Sequence, residues 1–282
     1  MARMCRRTGQ IARGVLIHRA GLAVSTTAVS AKPLRELGVG LAALDLPDCR
    51  GPDIRHTCGL PYPYFVYRGA RLTVDRDGLR ARQFDWNGLK FDLNSAGNFA
   101  LQARDTPNRR GMSTLYPLVE AGPASDYRLA LPSSASRCAV DLRLATRTAV
   151  AIGGGSVRPQ GWTVSPYLQL RNKNLMQSGW DASASLGAQY GSACYHQCQC
   201  GVRPSASLAK RRAFGAQAGY SGVLVQIGTS RQFQSLWVGA FARFDALNST
   251  AFIDSPLVNR GNAMSAEVSV SFTLWKSVRP AP

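Results

Sequence analysis

The residues best suited to chemistry lie close together near residue 200. Cys194, His196, Cys198 and Cys200 place three thiols and an imidazole within seven positions. Thiolate and imidazole together suit a soft metal such as zinc or copper. The Cys-x-Cys spacing with one histidine is not that of a structural zinc site, so loop cysteines are the stronger reading and no metal is expected. Gly153-Gly154-Gly155 is glycine-rich enough to approach a phosphate. It lacks the Gly-Lys-Ser/Thr ending and the helix that must follow, and reads as a mobile loop. A hydrolase needs a nucleophile beside a base. Beyond the N-terminal segment only His56 and His196 could serve as that base, and no spacing marks a serine partner for either. Asp45, Asp48 and Asp53, with Arg50 and Arg55 among them, could bind the divalent cations that bridge lipopolysaccharide; a solvated loop face is the stronger reading. The expectation is a protein that is not an enzyme and carries no cofactor.

The elements that would position such residues are strands. In 267–275, Val268, Val270, Phe272 and Leu274 alternate with Ser269, Ser271 and Thr273. Side chains alternate across a strand, so this segment is apolar on one face and polar on the other. Similar segments recur at 36–45, 60–68, 71–85, 89–101, 113–121, 124–131, 137–151, 161–171, 179–190, 217–231, 235–246 and 263–275. Asn87-Gly88 is the strongest hairpin signal among their joins. Twelve strands with turn residues between them predict an all-β antiparallel barrel. Long joins gather on one side, as in bacterial outer-membrane barrels. The join 102–112 falls on the opposite side, with the termini, and is longer than that pattern prefers. The inner face would carry Arg80, Arg82, Arg143, Gln169, Arg171, Ser183 and Ser185, too polar for a soluble barrel core. Tyr62, Tyr64, Phe65, Tyr67, Trp162, Tyr167, Trp180, Tyr190, Trp237, Phe241, Phe244 and Trp275 lie mostly near strand ends, as interfacial girdles do.

Composition agrees. There is no run of about eighteen apolar residues, so no helix spans a bilayer, which leaves a barrel open because only alternate residues meet lipid. The net charge is +18. Its basic residues are scattered and mostly arginine, which suits lipid phosphate as well as nucleic acid; no nucleic-acid partner is expected. Residues 1–31 run basic, semi-apolar, then small, and read as a signal peptide or a basic arm, with the barrel at 32–282. Seven cysteines is an odd count for a bridged fold, although Cys49 and Cys58 could close one short loop.

Several collinear blocks carry a resemblance. They are Gly38-Val39-Gly40-Leu41-Ala42-Ala43-Leu44-Asp45-Leu46-Pro47-Asp48, then Leu60-Pro61-Tyr62-Pro63-Tyr64-Phe65-Val66-Tyr67-Arg68-Gly69 with Leu72-Thr73-Val74-Asp75-Arg76-Asp77-Gly78-Leu79. Arg110-Gly111-Met112, Tyr195-His196 with Gly201-Val202, and Gly219-Tyr220-Ser221-Gly222 follow. Leu236-Trp237-Val238-Gly239-Ala240-Phe241-Ala242-Arg243-Phe244-Asp245 and Asp254-Ser255-Pro256-Leu257-Val258 close the series. Together they resemble the MipA/OmpV family of MltA-interacting proteins over about residues 36–275. The resemblance implies an outer-membrane barrel in contact with lipid and lipopolysaccharide. It also implies a scaffold for peptidoglycan-remodelling enzymes, a murein lytic transglycosylase and a penicillin-binding synthase. Cys198 and Cys200 stand where family members carry aromatics, and seven residues trail past Trp275. With both termini in the periplasm, the turn 102–112 with Arg104, Arg109 and Arg110 is the expected docking site. The alternative is a pore, or a surface adhesin or receptor.

Overall fold

A computed structural model describes residues 32–47, 55–70, 72–75, 78–86, 89–98, 109–113, 115–130 and 138–282; within these, the side chains of His56, Asp75, 78–86, 95–98 and Ala130 are outside the description. Strand β12 (Asn262–Lys276) decides which face meets lipid. Val270 and Phe272 are 40% and 50% exposed, while Ser271 and Thr273 beside them are 2% and 5% exposed. The same sense holds on β1 (Arg35–Pro47) and β7 (Cys138–Gly153): Leu37, Val39, Leu41, Leu142 and Leu144 point out, and Glu36, Ala42, Asp141, Arg143 and Ala145 point in. On these strands an apolar outer face backs a polar inner one, the arrangement a bilayer imposes on a barrel.

The remaining strands are β2 (Arg55–Arg68), β3 (Leu72–Asp75), β4 (Gly78–Trp86), β5 (Leu89–Asn98), β6 (Leu118–Ala130), β8 (Ser156–Leu175), β9 (Trp180–Gly191), β10 (Gly219–Phe233) and β11 (Leu236–Ala246). Each pairs antiparallel with its sequence neighbours, and β1 pairs with β12 to close the barrel. Closure lets backbone groups find partners within the sheet, which hydrocarbon cannot supply. The described residues before β1 and after β12 leave from one end. There the tails pair beyond the wall, Leu34 N–H donating to the Arg279 carbonyl (2.9 Å) and Ala281 N–H to the Lys32 carbonyl (2.8 Å). The residues past Trp275 thus extend the first-to-last strand junction.

Twelve strands are present among the described residues, but two expected boundaries are corrected. The segment 71–85 is two strands, with Asp75 paired to Gly78 across a tight reversal. Conversely, 113–131 holds one strand: β6 runs through Gly122 and Pro123, where its pairing to β7 lapses and resumes at Ala124 in unchanged register. The unbroken ladder to β5 carries the chain past a dipeptide that alone would turn. The two corrections cancel in the count but not in the topology. One more crossing before residue 99 moves the join 99–117 to the end opposite the termini. There it lies with the joins 192–218 and 247–261. The terminal end keeps only short joins, the longest being 131–137.

Gly153-Gly154-Gly155 is also corrected from a mobile loop to a hairpin turn. Gly154 and Gly155 adopt φ +60° and +73° between paired Gly153 and Ser156, a left-handed conformation that glycine takes at little cost.

Candidate functional site

The barrel wall has two chemically distinct halves. From β5 to β8 the interior is ionic. Arg143 reaches Asp92 at 3.1 Å and Asp126 at 3.3 Å, and Asp141 is held by both Arg128 and Arg171. Arg147 donates to the Asn94 side chain at 2.8 Å. These groups cross-link four strands through the lumen. Arg143 and Arg171 thus face inward as their strand positions predict. Ser185 does too, donating to the Gln226 side chain at 3.2 Å; the side chains of Arg80 and Arg82 lie outside the description.

The other half, β11, β12, β1 and β2, is aromatic. The Tyr64 hydroxyl bonds Thr273, two strands away across β1. Its ring passes over Gly38, where a β-carbon would sit 2.3 Å from the ring and 2.3 Å from the Phe272 carbonyl oxygen. Tyr62 covers Gly40 likewise, and Trp237 covers Gly239. Rings lying flat over strand glycines restore packing that the missing side chain forgoes. The expected girdle therefore divides. Phe65, Trp162, Tyr190 and Phe244 are exposed on the outer face, whereas Tyr62, Tyr64, Trp237 and Phe241 line the interior. Beside the interior rings lies a cavity of about 350 Å³, with Glu267 and Ser269 on its polar side.

The end opposite the termini is covered. Helix α1 (Ala193–Cys200) is capped by Ser192, whose hydroxyl accepts from Tyr195 N–H at 3.3 Å. The Tyr195 hydroxyl donates to Glu120 inside the wall at 3.0 Å, pinning the helix to the barrel. Leu247, Phe252 and Cys200 are buried together with Ala263 at this mouth. Ser255 ties the two loops, its hydroxyl donating to the Cys200 carbonyl at 2.6 Å.

Here the sequence-predicted residues separate. Cys194 is exposed, Cys198 half-buried and Cys200 buried. Burial pushes the Cys198 thiol above its ordinary value; the Arg109 guanidinium partly offsets this, and Cys194 adds to the rise. Both nitrogens of His196 are engaged, Nδ1 with the Gln217 carbonyl at 2.6 Å and Nε2 with Ser221 Oγ at 2.6 Å. A carbonyl only accepts, so Nδ1 carries the proton and Nε2 accepts from the serine hydroxyl. This is a base–nucleophile contact that sequence spacing did not reveal. Ser221 is fully buried, however, and the contact latches α1 to β10.

Arg109 and Arg110 are in this cap, not with the termini. Arg109 is buried and donates to the Gln199 carbonyl at 2.9 Å, while Arg211 donates to the Arg110 carbonyl at 2.8 Å. The expectation that this turn faces the periplasm with the termini is corrected, and the cause is the extra β3–β4 crossing. Arg104, Asp48, Asp53 and Cys49 lie outside the described residues. Asp45 pairs with Arg55 at 2.5 Å on an exposed rim, and Arg55 also donates to the Met264 carbonyl at 2.7 Å.

At the terminal end one turn stands out. Between β8 and β9, Met176 is 92% exposed at the tip of a reversal in which Asn174, Met176 and Gln177 all have positive φ. It is rigidly held. Gly179 N–H donates to the Asn174 side chain at 2.7 Å, and Asn174 N–H to Asp181 at 2.9 Å.

Residues 39–274 match the family model described as the MltA-interacting protein MipA. No curated protein matches the chain. Among solved structures the chain is similar to a bacterial polysaccharide outer membrane secretin at 10% identity and TM-score 0.40, covering 85% of this chain and 99% of that one. It is similar to the CymD monoaromatic hydrocarbon channel at 10% identity and TM-score 0.37, covering 89% and 90%. It is also similar to OccK3 of Pseudomonas aeruginosa at 10% identity and TM-score 0.25, covering 86% and 96%.

Proposed function

We propose that this chain, which belongs to the MltA-interacting protein MipA family, is an outer-membrane scaffold whose periplasmic end holds peptidoglycan-remodelling enzymes. The protein is an outer-membrane β-barrel. The family's name supplies one partner, a lytic transglycosylase, and the resemblance above supplies a second, a penicillin-binding synthase. Both act on the cell wall, which lies on the periplasmic side.

The observation that carries the reading is the division of labour between the two ends. Every long described loop is spent covering the far mouth, and ion pairs bridge strands inside the wall. The terminal end instead presents, among the described residues, the short turn between β8 and β9, held by hydrogen bonds of Asn174 and Asp181. A rigid turn with an exposed methionine loses little conformational entropy on docking, and Met is enriched at interface cores. Met176 is therefore the docking anchor on this reading, in place of 102–112. Chemistry is left to the partners on this reading, and the described contact of His196 with Ser221 is sealed.

Pull-down of a purified lytic transglycosylase on the refolded barrel tests this. Met176→Glu is expected to reduce capture about tenfold or more, the cost of removing a docking anchor, with the heat-modifiable gel shift of the folded barrel unchanged. Undiminished capture by Met176→Glu would remove the turn from the interface. No capture by the parent barrel would remove the scaffold role.

A further inference from the structure

The wall between β2 and β3 is incomplete among the described residues. β2 makes thirteen register pairs with β1 but only two with β3, Tyr67↔Val74 and Arg68↔Thr73. The β2 edge from Arg55 to Phe65 thus has no described ladder partner on that side. The sequence is fitted to this. Arg68 N–H donates to the Leu34 carbonyl of the β1 side at 2.8 Å, and Gly69 N–H to the Leu72 carbonyl on the other side at 2.9 Å. Backbone polar groups alternate sides along a strand, so even-numbered residues of β2 face β1 and odd-numbered ones face the open edge. Pro61 and Pro63 are odd. Their missing N–H groups are the ones that would otherwise point, unpaired, out of the edge. Proline sits in strands at such edges, and there it also disfavours pairing by another strand.

The interior cavity adjoins this edge. Its lining runs along β2 from Tyr62 to Val66, within and beside the stretch that has no described partner on the β3 side. Across it stands Glu267. Among the described residues no hydrogen bond or ion pair engages that carboxylate. Elsewhere in the lumen Asp92, Asp126, Asp141 and Asp245 each have an arginine partner. A carboxylate without a cation, beside the rings of Tyr62, Tyr64 and Trp237, is the chemistry that holds an organic ammonium. The acid supplies charge and the ring faces supply cation–π attraction.

We propose that the open β2 edge and this cavity form a laterally accessible binding site for an amphiphilic organic cation. The ammonium sits between Glu267 and the interior rings, and the apolar body passes Pro63 and Phe65 towards the acyl chains. The volume admits a head group with a few methylenes, and the opening lets a longer chain remain in lipid.

The test uses the full barrel and dodecyltrimethylammonium. In a variant retaining Trp237 as its only tryptophan, refolded in neutral detergent, titration is expected to give a saturable fluorescence change. Glu267→Gln is expected to weaken binding about tenfold or more, the scale of one lost charged contact, and dodecyl sulfate to give no such change. In bilayers of brominated-chain phosphatidylcholine, Trp237 is expected to be quenched although its strand position faces the interior. Equal affinity of the parent and Glu267→Gln overturns the cation site; absence of quenching overturns the lateral opening. If the single-tryptophan barrel does not fold, calorimetric titration of the parent against Glu267→Gln decides the cation site, and bromolipid quenching of the parent against Trp237→Phe decides the opening.

Discussion

The ring of Tyr62 lies so close over Gly40 that a β-carbon there would fall 2.4 Å from its Cζ, and the nearest atoms all belong to that one side chain. At Gly38 the obstacle is double, because the Phe272 carbonyl on β12 stands as near as the Tyr64 ring. The Gly-x-Gly of β1 and the Tyr-x-Tyr of β2 are therefore two halves of one packing device.

The pair gives unequal rescue. Gly40→Ala is expected to destabilise the barrel by about 1–3 kcal/mol, the usual cost of overpacking, and Tyr62→Ala in the same chain should recover most of that. Gly38→Ala should not be recovered by Tyr64→Ala, since the backbone carbonyl remains. Urea unfolding in detergent, followed by the gel shift on heating, measures both. Equal rescue at the two glycines contradicts the assignment.

Arg143 is the keystone of the ionic half. Removing it leaves Asp92 and Asp126 inside the wall without their shared cation. Breaking a buried pair on one side costs about 3–5 kcal/mol, whereas replacing all members together is often neutral. Arg143→Met is thus expected to lower unfolding stability by about 3 kcal/mol, and Arg143→Met with Asp92→Asn and Asp126→Asn to restore much of it. A single substitution as mild as the triple would show that lumen water already screens the charges.

Much of the fold was legible because lipid enforces alternation at every strand; Val270 and Ser271 disclose their faces from sequence alone. What was missed followed from local signals overruled by neighbours, or passed over. Gly122-Pro123 is a turn dipeptide that the unbroken ladder to β5 keeps extended. Asp77-Gly78 is a hairpin signal inside a stretch that otherwise reads as one strand. That single reversal changes the end of the barrel at which Arg109 and Arg110 lie, so topology, not residue type, sets their place. The His196–Ser221 contact joins residues 25 positions apart through loop packing and leaves no periodic trace. The β2 edge, without a described ladder partner on the β3 side from Arg55 to Phe65, does have a signal, the alternate prolines Pro61 and Pro63, which only the ladder pattern makes readable.

The cap thiols should react in order of exposure. Cys194 is open to solvent and should be alkylated by maleimide at neutral pH, while Cys198 should react about tenfold more slowly or less, since the thiolate is the nucleophile. Because burial raises the Cys198 pKa in the folded protein, its proton is retained to higher pH than in the unfolded chain. The unfolded state then binds fewer protons above the ordinary thiol range, so stability falls as pH rises through that range and up to the folded value. Cys198→Ser should flatten that alkaline decline. Mass spectrometry of labelled peptides and unfolding curves at stepped pH check the two parts.

The latch from Tyr195 to Glu120 makes the covered mouth a mechanical prediction. With α1 pinned to the wall at 3.0 Å and Phe252 buried beneath the loops, the intact barrel is expected to show no steady conductance in planar bilayers. Replacing 193–217 by a short Gly-Ser linker removes the helix, its Glu120 contact and the His196–Ser221 latch together, and should produce ohmic channels. Glu120→Gln keeps the shape but weakens a charge-assisted bond worth about 1.5–3 kcal/mol, so brief openings are expected from it. Steady conductance from the intact barrel would favour the pore reading over the scaffold, and a silent linker variant that still shows the heat-induced gel shift would place the block deeper, among the arginine–aspartate pairs of β5 to β8.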